Sequence, residues 1–135
     1  MTIDVHRDPA LKLGQTIRIG GTAFTADVSV PEGGDDAGPS PHDIYDAALG
    51  ACEALTVMWY ASRKGIPIED VIVSVDRDAS EERAGTYRLT ARMQLKGAFS
   101  DAQLKELRSV VEKCPVHKLM TVVTTVIDSH VERME

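Results

Sequence analysis

The sequence has few cysteines, an excess of negative charge and no long apolar run. Its 2 cysteines are too few for the disulfide framework of a small secreted protein. A formal net charge of −6 argues against nucleic-acid binding, which needs a basic face. Every apolar run is shorter than the roughly 20 residues that cross a bilayer, and no signal-peptide pattern is visible. We therefore expect a cytoplasmic protein that binds neither nucleic acid nor membrane.

Length and composition are those of one ordinary globular domain. The chain has 135 residues, of which 43% are hydrophobic and 27% are charged. That length is sufficient to bury a core, and no stretch separates two parts that could each form one. We expect a single domain over residues 1–135. In a reducing compartment, its cysteines are more often catalytic, redox-active or metal-binding than structural.

The longest helix signal covers residues 40–65, SPHDIYDAALGACEALTVMWYASRKG. Ser40 is a suitable N-cap, Pro41 suits the first helical position, and Asp43 stands three residues after the cap. Gly65 ends the segment. Apolar residues lie almost all round this helix, which is typical of a helix buried in a core.

The other elements flank this helix in the order ββ–α–ββ–αα–β, which predicts an α+β fold with antiparallel sheet. Alternating apolar residues and turn signals give the strands, and a Ser100-x-x-Gln103 capping box starts the second helix. The predicted segments are strands 15–19 and 22–28 around a Gly20-Gly21 turn, a loop at 30–41, hairpin strands 71–78 and 86–97, helices from 100 to 113 and 116 to 122, and a closing strand at 124–134. Ile3 and Val5 alternate weakly and favour one more strand.

The two cysteines have very different settings. Cys52 lies in the middle of the long helix, where a free cysteine is commonly a small buried hydrophobe. Cys114 precedes Pro115, which places its sulfur at a helix N-cap beside unpaired N–H groups, with His117 three residues on. That setting can lower the pKa of a thiol. Two alternatives remain: Cys114 is only an N-cap, or Cys-x-x-His is half of a zinc site with Cys52 as third ligand.

Two sequence motifs, one around each cysteine, resemble those of a known protein family. GPSPHDIYDAALGACEAL and EKCPVHKLM together resemble the OsmC/Ohr family of thiol-dependent peroxidases, and the likeness is greatest to its OsmC-like branch. It extends from the Gly-Gly hairpin through MWYASRKGIPIEDV to the CPVH segment. The resemblance implies antiparallel sheets packed on a long buried central helix in an intertwined homodimer, with active sites at the subunit interface.

The resemblance also implies roles for residues. Cys52 corresponds to the peroxidatic cysteine and Cys114 to the resolving one. The substrate would be an organic hydroperoxide, and a dithiol reductant, lipoyl or thioredoxin-like, would restore the thiols without a further cofactor. The family holds the reactive thiolate with an arginine from the N-terminal strands. Arg18 is the candidate here, with Arg7 as alternative.

One position departs from the family pattern. Ten residues before Cys52, where the family has a glutamate that steadies this arginine, stands His42. Asp43 either replaces that carboxylate or only caps the helix with Ser40, and His117 is a further auxiliary candidate. Two other functions therefore stay open. One is a binding protein of this fold for an apolar small molecule, with little or no peroxidase activity. The other is a metal-binding or thiol-hydrolase protein.

Overall fold

A 24-residue helix is the longest element of the computed structural model, which describes residues 1–135. A three-stranded sheet precedes it, and a two-stranded sheet and two shorter helices follow, as an α+β fold requires. The elements are β1 Ile3–Arg7, β2 Gln15–Ile19, β3 Thr22–Ala26, α1 Pro41–Lys64, β4 Asp70–Asp78, β5 Arg88–Lys96, α2 Asp101–Val111 and α3 Pro115–Thr121. None of the helices combines the length and the apolar character needed to span a membrane.

The predicted caps of the two longer helices are confirmed. The Ser40 hydroxyl accepts a hydrogen bond from the Asp43 N–H at 3.1 Å, and the Asp43 carboxylate accepts one from the Ser40 N–H at 2.9 Å. Ser100 and Gln103 make the same reciprocal pair at the start of α2. Each cap satisfies N–H groups that have no partner inside the helix, which fixes where the helix begins.

The chain forms two compact units. The first comprises Met1–Ala48 and Arg77–Leu89, and the second comprises Leu49–Asp76 and Thr90–Glu135. A single domain over residues 1–135 stays a prediction. In the first unit, β2 pairs antiparallel with both β1 and β3, and Gly20 turns the β2–β3 hairpin with a φ of 58°. A positive φ of this kind favours glycine, as the sequence predicted.

A buried aspartate ends β3 two residues earlier than predicted. Asp27 is 4% exposed, and its carboxylate accepts hydrogen bonds from the backbone N–H groups of Val28, Asp35 and Ala37. These bonds lower the pKa of Asp27 against the opposing effect of burial. They also fold the Gly-rich loop before α1 back onto this carboxylate.

The second unit holds the main apolar core. Its fully enclosed residues come from α1, from the segment just after it and from α2: Val57, Ala61, Ile66 and Leu107. Half-buried side chains surround this cluster, among them Met93 and Leu95 of β5. Exposed and half-buried residues alternate along both β4 and β5, which confirms the predicted hairpin with one solvated face.

Leu107 offers a direct test of this core, because its side chain is completely inaccessible to solvent. Leu107→Ala removes buried apolar volume between α1 and α2 and should lower the free energy of unfolding by about 3 kcal/mol. Chemical denaturation at fixed protein concentration measures the change. Leu119→Ala, at a position 52% exposed on α3, serves as the matched control and should cost far less. Equal losses in the two variants would contradict this core.

The single chain buries one face of α1 and leaves the opposite face exposed. Leu49 is 7% exposed and Val57 is inaccessible, whereas Leu55 and Trp59 are 70% and 60% exposed. The exposed face is also apolar. Burial of the helix all round would therefore require a further surface that this chain does not provide.

The predicted closing strand at 124–134 is wrong for this chain. Residues 123–135 form neither helix nor strand. The apolar side chains that suggested a strand are left exposed: Val126, Ile127 and Val131 are all at least 77% exposed. Alternating apolar residues favour a strand only where a sheet edge is present to accept the backbone hydrogen bonds. Neither sheet of this chain includes the segment.

Candidate active site

The structure brings the two cysteines together in the second unit. Both are free thiols; Cys52 is half-buried on α1, and Cys114 is fully buried immediately before α3. The two side chains lie close enough for Cys52 to raise the pKa of Cys114. The fold thus brings two thiols that are 62 positions apart in sequence into one neighbourhood.

The start of α3 explains the position of Cys114. Pro115 occupies the first helical position, and the Cys114 sulfur accepts a hydrogen bond from the His117 N–H at 3.4 Å. The expectation of a lowered Cys114 pKa is wrong, because burial and the hydrogen bond to Cys52 raise it more than the N–H groups of His117 and Val116 lower it. The raised pKa favours the protonated form of the Cys114 thiol.

Small residues allow α1 to approach β4 near Cys52. A methyl group added to Gly50 would lie 3.0 Å from a methyl group of Val75 on β4, so the helix and strand are in close contact there. One turn further along α1, the Thr56 hydroxyl lies 4.0 Å from the Cys52 sulfur. Cys52 is thus held on a closely packed helix and remains half-accessible.

The sequence reasoning missed Glu53, the residue next to Cys52. Its side chain lies on the buried face of α1 and the residue is 5% exposed. Burial raises the pKa of Glu53, and the charge of His117 on α3 opposes this effect. The sequence feature that could have identified Glu53 is its position as a charged residue within an otherwise apolar stretch of the helix. A buried carboxyl group with a raised pKa is a candidate functional group.

The raised pKa of Glu53 gives a testable pH dependence. A carboxyl whose pKa is raised on folding supports stability fully below its unfolded value of 4.5, and that support is lost as the pH rises through the folded pKa. Glu53→Gln does not titrate. We therefore expect the variant to gain stability over the wild type near about pH 8 and to lose that gain near about pH 4. Urea denaturation at both pH values measures the difference; a gain that is equal at both would contradict a raised pKa.

A second cluster of polar side chains, in the first unit, was also missed. Arg77 Nε donates to the Asp46 carboxylate at 2.6 Å, and Arg77 pairs with Asp43 as well. The Tyr87 hydroxyl donates to Asp46 at 2.6 Å, and burial with this bond raises the pKa of Tyr87 to about 12. Asp43 thus both caps α1 and holds an arginine, but that arginine is Arg77.

His42 contacts a carboxylate that the sequence gave no reason to expect. Its Nε2 lies 2.7 Å from Oε1 of Glu82, and its side chain is 51% exposed. His42 and Glu82 also line an open cavity of about 390 Å³ whose other walls are Pro41, Tyr45 and Tyr87. A mostly aromatic pocket of this size suits a small ligand.

Arg18 and Arg7, the two candidates for the thiolate partner, lie on neighbouring strands of the first unit. Arg18 is exposed on β2 opposite Asp4, and Arg7 is exposed at the end of β1. Both line one pocket of about 480 Å³. Neither takes part in an ion pair within the chain, so both guanidinium groups are free for another partner.

No metal site is evident around the thiols. The structure contains no group of three or more His, Cys, Asp or Glu side chains arranged to hold a metal ion.

Comparison with solved structures identifies the fold. An OsmC like protein from Mycoplasma pneumoniae is 21% identical and superposes with a TM-score of 0.72, covering 90% of this chain and 87% of that chain. An organic hydroperoxide resistance protein OsmC from Legionella pneumophila is 16% identical over 90% of both chains, with a TM-score of 0.64. The organic hydroperoxide resistance protein OhrB of Bacillus subtilis is 18% identical over 90% of this chain and 92% of that chain, with a TM-score of 0.59. No curated protein sequence gives a significant match.

The family model described as OsmC-like protein matches residues 33–127. That match covers more than half of the chain and includes α1, both cysteines and the CPVH segment. The fold, the thiol pair and this match agree with the resemblance that the two motifs carry. This chain belongs to the OsmC-like protein family.

Proposed function

We propose that this protein is a thiol-dependent peroxidase that reduces organic hydroperoxides through Cys52 and Cys114. The observation that carries the proposal is the proximity of the two thiols: both lie in the second unit, and Cys52 raises the pKa of Cys114, although a strand hairpin and a helix separate them in the sequence. Two structural relatives are described as organic hydroperoxide resistance proteins, which supports the same chemistry. A role in the response to oxidative stress follows from this activity.

In the proposed reaction, the Cys52 thiolate attacks the O–O bond of the hydroperoxide. The sulfur takes one oxygen and becomes a sulfenic acid, and the remaining oxygen leaves as the alcohol. Cys52 suits this role because it is the more accessible of the two sulfurs. Burial raises the pKa of the nearby Cys114 thiol, which favours its protonated form as a donor to a Cys52 thiolate.

Cys114 then resolves the sulfenic acid. Its sulfur displaces the hydroxyl group on Cys52, which forms a disulfide and releases water. A dithiol reductant, lipoyl or thioredoxin-like, returns both cysteines to thiols by exchange.

Turnover tests this function directly. With purified, reduced protein and a dithiol such as dihydrolipoamide, we expect consumption of cumene hydroperoxide coupled to stoichiometric oxidation of the dithiol. Hydrogen peroxide, which offers no apolar group, should be the poorer substrate. Absence of peroxide consumption with every dithiol would contradict the proposal.

The exposed face of α1 supports a homodimer as the functional form. Leu55, Met58 and Trp59 recur at helical spacing and are all exposed in the single chain. An apolar stripe of this kind marks an interface in a protein of this size. A second copy would cover the stripe and would complete the surroundings of the half-accessible Cys52, as the family resemblance implies.

Arg18 is the proposed partner of the Cys52 thiolate. A guanidinium group beside a thiolate favours its formation, so Arg18→Ala should shift alkylation of Cys52 by iodoacetamide to higher pH. The matched control is Arg7→Ala on the neighbouring strand, which should keep the wild-type profile. A shift in the Arg7 variant alone would move the assignment to Arg7, and a shift in neither variant would remove both.

The aromatic pocket beside His42 favours a second candidate function, the binding of an apolar small molecule. Tyr45 and Tyr87 supply apolar walls, while the His42–Glu82 pair supplies polar groups at its edge. A binding protein would keep its ligand affinity in Cys52→Ser and lose it in Tyr45→Ala. Calorimetry with small aromatic ligands distinguishes this function from peroxidase activity.

A further inference from the structure

The cavity beside His42 combines aromatic walls with an acidic one. Three of its five lining residues carry aromatic rings, and the set is completed by a proline and a glutamate: His42, Tyr45, Tyr87, Pro41 and Glu82. All five belong to the first unit, and neither lysine nor arginine is among them. The volume of about 390 Å³ lies within the range of small-molecule pockets. The ligand should therefore suit aromatic rings and a carboxylate together.

The three rings adjoin one another around Tyr87. The centroid of the Tyr87 ring lies 5.9 Å from that of His42 and 6.0 Å from that of Tyr45, with interplanar angles of 64° and 60°. A small group in the cavity can therefore contact more than one ring. The face of an aromatic ring carries partial negative charge and attracts a cation that lies within about 6 Å of its centroid. The walls thus favour a positively charged ligand.

The charged side chains near the cavity carry an excess of negative charge. Arg77 is shared between the carboxylates of Asp43 and Asp46, so that two negative charges face one positive charge. Glu82 adds a carboxylate at the wall itself, where it contacts His42 at 2.7 Å. The positive end of the α1 dipole, equivalent to roughly half a charge, opposes these groups without cancelling them. An anionic ligand would be repelled here.

The hydroxyl group of Tyr87 is committed to another partner. It donates to the Asp46 carboxylate at 2.6 Å, and burial together with this bond raises the pKa of Tyr87 to about 12. The side chain therefore stays a neutral phenol and offers the cavity its ring and not its O–H group. Donation to a carboxylate also polarises the phenol and makes the ring richer in electrons, which strengthens its attraction for a cation.

We propose that this cavity binds a small organic cation, an ammonium ion whose nitrogen carries alkyl groups. The inference names the ligand class of the same pocket and rests on the second candidate function, the binding of a small molecule there. The alkyl groups would contact the rings of Tyr45 and Tyr87, and the positive charge would be attracted by the ring faces and by Glu82. A quaternary nitrogen has no N–H group that needs an acceptor, so walls made of rings satisfy it.

Two probes of the same shape test the effect of charge alone. Choline and 3,3-dimethylbutan-1-ol differ in that choline has a quaternary nitrogen where the alcohol has a carbon atom. NMR titration of the purified protein at about pH 8, above the range in which histidines ordinarily titrate, measures both dissociation constants. We expect choline to bind at least roughly 10-fold more tightly than the alcohol, as a cation–π site requires.

Substitutions at two walls assign the site. Tyr45→Leu keeps an apolar side chain and removes the ring, so it should weaken choline binding by roughly 10-fold and leave the alcohol little changed. Tyr45→Phe is the matched control, because it keeps the ring, and should bind choline like the wild type. Glu82→Gln, which removes a charge and keeps the shape, should also weaken the binding of choline but not that of the alcohol.

The contrary outcomes separate this inference from the function on which it rests. Equal affinity for choline and the alcohol would overturn the cation inference alone, since the pocket would then bind without regard to charge. Choline affinity that is unchanged in Tyr45→Leu would also overturn it, because the cation would then bind elsewhere. Absence of choline binding overturns it too. Small aromatic ligands that still bind would then preserve the second candidate function, and their failure to bind would remove both.

Discussion

Cys52→Ser should abolish peroxide reduction, whereas each chain of Cys114→Ser should still reduce one molecule of hydroperoxide. The reason is the order of the chemistry: only a nucleophilic sulfur at position 52 can open the O–O bond, and Cys114 acts afterwards. In Cys114→Ser the sulfenic acid on Cys52 has no thiol to condense with. It should accumulate and be trapped by dimedone, or oxidise further to sulfinic acid.

Stopped-flow mixing and mass spectrometry of the two variants make this comparison. Each serine variant controls for the other, since each removes one of two neighbouring thiols. A single turnover in Cys52→Ser together with none in Cys114→Ser would reverse the roles. A single turnover in both would mean that the thiols act independently.

Leu55→Glu should convert a dimeric protein into monomers. Leu55 is 70% exposed in the single chain and belongs to the apolar face of α1 that the proposed dimer would cover. A charge buried there would lose its hydration without gaining a partner. We expect the dimer to weaken by about 30-fold or more, equivalent to the loss of a binding hot spot of roughly 2 kcal/mol. Peroxidase activity should fall with the dimer. Light scattering across a dilution series gives the dissociation constant.

Ser109→Glu, which adds the same charge to an exposed position on α2, is the matched control and should stay dimeric. A wild-type protein that is a stable, folded monomer at low micromolar concentration would contradict the dimer. In that case Leu55 and Trp59 would be exposed in the functional protein.

The sequence was sufficient to predict the elements that local rules define. Ser40 and Ser100 begin their helices because a capping side chain satisfies free N–H groups wherever such a helix starts. The Gly20-Gly21 hairpin and the alternation along β5 follow equally local rules. The closing strand at 124–134 failed for the opposite reason. Its pattern was correct for a strand, but pairing depends on a sheet edge that the chain does not offer it.

The site was predicted only in part, because charge partners are set by tertiary contacts. The motifs identified Cys52 and Cys114, and the structure brings them together. Asp43 was a candidate either for the carboxylate that steadies the arginine or for a helix cap alone; it caps α1 and pairs with Arg77, a residue 34 positions away. Glu53 directly follows Cys52 in the sequence. Only its burial distinguishes it from a glutamate on the solvent face of a helix.

The most direct test of the central claim is the intact mass and the free-thiol count of the reduced protein before and after one equivalent of cumene hydroperoxide. We predict that both thiols disappear and that the mass per chain falls by about 2 Da, the two hydrogen atoms lost when Cys52 and Cys114 form a disulfide. Peptide mapping should recover the two cysteines in one cross-linked species. A chain that retains both thiols, or that gains oxygen on Cys52 while Cys114 stays free, would contradict the claim.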